Sequence, residues 1–147
     1  MTCKERNYEL ITEITAYPDS AVTMNFPFQK KVKYLTSDDY SLDDKQSVLI
    51  PMKAKSGKLS ETENTGVQGD SYTTTLSWEV EIVTKEVMDK LAFLENSFKH
   101  LKIKTFGDNV SLVVASEDGY RFTLQEDAGI LKCEVSIKNV NGAQRIL

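Results

Sequence analysis

The chain has 147 residues, 40% hydrophobic and 27% charged, with a net charge of −4 and a pI near 5.1. That length fits one domain with a sizeable core, and that balance excludes wholesale disorder. The acidic surplus argues against nucleic-acid binding, and the densest basic group, Lys30, Lys31 and Lys33, reads as a solvated strand face.

The N-terminal MTCKERNYEL is polar and lacks the apolar run of a signal peptide. No stretch approaches the ~18 apolar residues of a membrane span. Tyr8 to Tyr17 (YELITEITAY) mixes β-branched and apolar residues and reads as a strand, stopped by Pro18 and Asp19. Met24 to Leu35 carries Phe26, Phe28, Val32 and Tyr34 at even positions, which predicts one buried face. Pro27 makes this run an edge strand or two shorter strands. An acidic loop follows with Asp38, Asp39, Asp43 and Asp44, then an apolar run from Val48 to Ala54 interrupted by Pro51.

Residues 55–71 hold almost no large apolar side chain and three glycines, Gly57, Gly66 and Gly69. They are expected to form an exposed hairpin or arm. From Tyr72 the even positions Tyr72, Thr74, Leu76, Trp78, Val80 and Ile82 share one face of a strand, against polar odd positions. The period then changes. Thr84 is a candidate N-cap, and Val87, Leu91, Leu94 and Phe98 form one helical stripe widened by Met88. The spacing predicts a helix over about 85–96, with Glu86 and Lys90 paired on its exposed side.

Four short strands close the chain. Leu101, Ile103 and Phe106 alternate, Gly107-Asp108-Asn109 turns, and Val110 to Ala115 pairs back. After a turn at Ser116 to Gly119, Tyr120, Phe122 and Leu124 alternate. Ala128-Gly129 leads to Leu131, Cys133, Val135 and Ile137, and Asn139 to Gly142 turns into Gln144–Leu147. The expected fold is α+β in one domain, 1–147: an antiparallel, sandwich-like β-sheet with one helix packed on it and a long polar arm.

The chemistry-bearing residues are few. His100 is the lone imidazole, reads as a cap or solvent-facing residue, and leaves no Ser–His or Cys–His nucleophile pair. Cys3, Cys133 and His100 fall short of the four ligands of a structural zinc. Cys133 alternates with core residues, and Cys3 reads as an incidental thiol in a polar terminus. The acidic loop lacks the spacing, central Gly and terminal Glu of an EF-hand. No phosphate-binding glycine motif is present, and Trp78 reads as core. These readings name no catalytic residue, metal or cofactor.

From Gly69 onward the layout has four parts: an arm ending in Gly69-Asp70-Ser71-Tyr72, the strand TTTLSWEVEI, a helix with Val87, Leu91 and Leu94, and strands carrying Phe106-Gly107-Asp108-Asn109 and Glu117-Asp118-Gly119-Tyr120. This layout resembles small structural proteins of tailed bacteriophages: tail-tube, tail-terminator or connector-ring subunits. The resemblance covers about half the chain and implies a non-enzymatic virion subunit, made in the host cytoplasm, that forms a homo-oligomeric ring with other virion proteins. It implies neither a small-molecule substrate nor sequence-specific nucleic-acid binding. The expected subunit contacts are Lys58, Glu61, Glu63, Asn64, Gln68 and Asp70 in the arm, with Gln144, Arg145 and Leu147 at the C-terminal end. Two other readings compete: a monomeric adaptor or ligand-binding module using an aromatic sheet face, and an enzyme built around His100 or a carboxylate pair.

Overall fold

A computed structural model describes residues 9–25, 34–66, 69–107 and 109–147. In chain order the strands are β1 (Glu9–Tyr17), β2 (Val22–Met24), β3 (Tyr34–Leu35), β4 (Tyr40–Leu42), β5 (Val48–Leu49), β6 (Gly57–Gly66), β7 (Gly69–Val80), β8 (His100–Thr105), β9 (Asn109–Val113), β10 (Tyr120–Asp127), β11 (Ile130–Asn139) and β12 (Ala143–Ile146). One helix, α1 (Lys85–Asn96), lies between β7 and β8. The main sheet runs β10-β11-β7-β6-β1-β8-β9-β12-β3, with β5 also on β1, while β2 and β4 form a separate ribbon. Every described pairing is antiparallel except β12 with β3.

Strand β1 occupies the centre because its sequence can face inward along most of its length. Ile11 and Ile14 have opposite parity, so a regular strand could not bury both. A bulge between Ile11 and Glu13 resolves this: Thr12 drops out of register and its hydroxyl donates to the Lys104 carbonyl at 3.0 Å. Ile11, Ile14 and Ala16 then enter one core with Leu59, Leu76, Trp78, Leu101, Ile103, Val113, Val135 and Ile137. Burying such aliphatic side chains stabilises the fold by about 1.5–3 kcal/mol each before entropy is counted.

The 57–66 part of the expected hairpin or arm is strand β6, paired with β7 from Lys58↔Ser77 to Gly66↔Gly69. Cross-strand pairs such as Ser60↔Thr75 and Thr62↔Thr73 suit a strand although they are polar. In β7 the even side chains Thr74, Leu76, Trp78 and Val80 are buried, as the alternation predicts. Ile82 departs from it and is exposed, because the strand ends at Val80 before the chain turns into the helix.

Helix α1 matches the expected range. The Thr84 hydroxyl accepts from Val87 N at 3.2 Å, and Glu86 and Lys90 pair at 3.3 Å. Leu91 and Leu94 are its buried residues, while Met88 faces out rather than widening the stripe. The helix has no basic residue in its last turn, and Lys99 folds back to serve instead. Its ammonium donates to Asn96 Oδ1 at 3.0 Å and to the Ser97 carbonyl and hydroxyl at 3.0 and 2.6 Å, beneath the Phe93 ring. Burial holds this amine below the usual lysine range.

The five strands after the helix are not one meander. Hairpins β8–β9 and β10–β11 form as expected but lie on opposite sides of β1, because β7 takes β11 and β12 returns to β9. Strand β8 ends at Thr105, so Phe106 sits in the turn and is 79% exposed instead of buried. Ala128 (φ 53°) and Gly129 (φ 83°) form the two-residue turn of β10–β11, which needs left-handed backbone at both positions.

Candidate functional site

The expected contact residues separate into three groups. Lys58, Glu63 and Arg145 are exposed, and so is Leu147 at the end of the last strand. Asn64 is half-buried, its amide donating to Thr73 Oγ1 at 2.8 Å, and Asp70 pairs through its backbone with Thr65 near the hairpin tip. Gln68 lies outside the described residues. Glu61 and Gln144 are corrections: they are only 7% and 1% exposed, so neither presents a surface to another chain.

The burial of Glu61 has a clear cause. Its residue alternates onto the inner side of β6, and its carboxylate accepts from the Ala143 amide at 2.7 Å and from Thr74 Oγ1 at 3.4 Å. Strands β6 and β12 are not sheet neighbours, so this bond bridges two parts of the sheet. Gly142 has φ of +67°, and a side chain there would collide with the Glu61 carboxylate. Asn139 makes a second bridge at the same corner. Its amide donates to the Val114 carbonyl at 2.7 Å, and its oxygen accepts from Gly142 N. The C-terminal segment is likewise engaged within the chain, as β12 lies between β9 and β3 and Leu147 N donates to Leu35 O.

His100 is 3% exposed and not the solvent-facing residue that its polar neighbours suggest. It opens β8 opposite Tyr17, and pairing with β1 draws it inward. The Ala115 amide donates to Nδ1 at 2.9 Å, so Nδ1 is the unprotonated nitrogen. Nε2 then carries the proton and donates to Asp19 Oδ1 at 2.8 Å. With both nitrogens engaged, the ring has none left to take a proton from a substrate.

The acidic loop is a set of turn and cap carboxylates. Asp39 accepts from Thr36 N at 2.8 Å, Asp43 from Lys45 N and Gln46 Nε2, and Asp44 from the Tyr17 hydroxyl at 2.6 Å. Among the described residues, no three Asp, Glu, His or Cys side chains are grouped to hold a metal. Cys133 is a buried free thiol, pushed up to about 12 by burial and so kept from the reactive thiolate form. Cys3 lies outside the described residues. No described helix is long and apolar enough to cross a membrane.

Two surfaces stand out among the described residues. One is a cavity of about 670 Å³ beside the bridged corner, with Met24, Val114, Ala115 and Val140 among its walls. The other is the margin of the sheet at β10, beyond which no strand pairs among the described residues. From Arg121 to Asp127, all side chains except the half-buried Phe122 are exposed. Alternation alone could locate the strand but not its place at the margin, because that depends on which partner β11 takes. No family model, curated protein or solved structure matches the chain.

Proposed function

We propose that the protein is a non-enzymatic structural subunit that self-associates, of the kind that builds a phage tail tube, tail terminator or connector ring. The observation that carries this reading is a large, mostly antiparallel sheet around one core whose margin strand β10 has a partner on one side only among the described residues. An open strand edge offers a row of backbone donors and acceptors to another chain. The engagement of His100, the acidic loop and Cys133 in internal packing is consistent with a geometric rather than a chemical role. A ring requires a heterologous contact between two different surfaces; the exposed hairpin residue Glu63 lies away from the β10 margin and offers a surface for it that an edge-to-edge contact at β10 leaves uncovered.

Light scattering across a concentration series tests this. Discrete oligomers above the 16.6 kDa chain mass are expected. A monomer at every concentration, alone and with an assembled tail or connector as template, would overturn the reading. The cavity at the bridged corner favours a second reading, a ligand-binding module, since its size falls in the ~300–1,000 Å³ range of small-molecule sites. Saturable binding of an apolar fluorophore, abolished by Val140→Trp, would support that alternative.

A further inference from the structure

We infer that the β10 margin is the docking surface for a second copy of this chain, joined antiparallel about a two-fold axis at Leu124. This deepens the self-association reading by naming the edge and the register.

The register follows from the pairing of β10 with β11. Lys138 N donates to Gly119 O, so the positions 119, 121, 123, 125 and 127 turn their backbone polar groups toward β11. The backbone groups of Phe122, Leu124 and Glu126 therefore point away from β11, toward the open side. The side chains divide the other way. Arg121, Thr123, Gln125 and Asp127 share the solvent face with Ser136, Glu134 and Lys132, while Phe122 and Leu124 lie on the core side.

Charge then selects one alignment. With Leu124 opposite Leu124 of the second copy, Phe122 faces Glu126 and Arg121 faces Asp127, and the two-fold repeats each pair. A shift by one step either way sets Arg121 opposite Gln125 or Asp127 opposite Thr123 and loses both ion pairs. In the favoured register the outward backbone pairs exchange bonds two at a time, continuing the ladder across the contact. Leu124, 36% exposed in the single chain, meets its own copy beside Phe122 and extends the apolar layer. Edge charges usually repel an added strand; here they are placed to meet their opposites. Asp127 already sits 3.3 Å from the Lys132 ammonium, an exposed contact that leaves its carboxylate room for a second cation.

The test is sedimentation of the full chain as wild type, Arg121→Asp, Asp127→Arg and the double exchange. Both side chains are exposed, so the fold tolerates these changes. A wild-type dimer is expected, weakened roughly tenfold by either single exchange, which sets like charges opposite each other twice. The double exchange restores it, because the opposed charges are again complementary. Self-association that ignores all three variants would overturn this edge while leaving the proposed function standing on another surface. A wild type that stops at the dimer would support this edge and count against the ring. A wild type that stays monomeric overturns this contact; the templated-assembly experiment then decides separately whether the subunit reading survives.

Discussion

The corner where β6, β9, β11 and β12 meet and the margin at β10 use the same strand chemistry to opposite ends. At the corner, Glu61 and Asn139 reach across to backbone groups that the ladder leaves over, and Gly142 makes room for them. At the margin, among the described residues, no strand pairs with the outer side of β10, and near its start the Tyr120 hydroxyl donates to the Leu94 carbonyl of the helix at 2.7 Å. The difference shows how a sheet protein decides where it ends. Unpaired strand groups are consumed by side-chain bonds where the fold closes and are left available where it does not.

The largest effect belongs to the corner. Glu61→Ala should lower folding stability by about 2–3 kcal/mol in urea denaturation, since it orphans the Ala143 amide and removes a charged acceptor. A loss below about 0.5 kcal/mol, the usual range of surface changes, would refute the bridge. Asn139→Ala should cost about 1–2 kcal/mol, because its two bonds are between neutral groups.

Alkaline pH tests the core that both regions share. Burial raises Cys133 from its ordinary 9.0 to about 12, and lifts the Tyr17 and Tyr120 hydroxyls well above their ordinary 10.0. For Tyr17 the bond to Asp44 adds to burial. These groups keep their protons longer when folded, so their contribution is full below pH 9 and falls as pH rises through 9 to 12. The denaturation midpoint should drop over that window, and thiol labelling of Cys133 at pH 8 should track unfolding. Rapid labelling of a native Cys3→Ser variant, in which Cys133 is the remaining thiol, would contradict its burial. The smallest effect lies at the margin: Ala128→Asn suits the left-handed turn better and should add about 0.5–1 kcal/mol, with a higher Tm.

How far the sequence foretold these regions depends on range. The helix was legible to its end residues because Thr84, the 87/91/94 stripe and the Glu86–Lys90 pair are all local signals. The β10–β11 hairpin was legible from Ala128-Gly129 and clean alternation. What stayed hidden was long-range. The run from 55 read as an exposed hairpin or an arm because its polar residues give no core signal; pairing with β7 makes its 57–66 part a strand and so selects the hairpin. Glu61 looked like a surface acid because a buried carboxylate is recognisable only once the Ala143 amide lies beside it. His100 looked exposed for the same reason: Asp19 and Ala115 lie far along the chain or across a turn. The β10 margin became visible only from strand order.

The bulge at Thr12 also bears on how quickly the chain finds its shape. It joins β1 to β8 through residues 92 positions apart, at the centre of the sheet. The β6–β7 and β10–β11 hairpins and the helix close over short spans and can form in microseconds. The central pairing must wait for a long loop to close, which places such topologies in the millisecond-to-second range. During that wait the hairpins stand ready while the Ile11–Ile14 side of the core is still unsealed. Refolding yield should therefore fall with protein concentration, and the lost fraction should be chains that met one another before β1 reached β8.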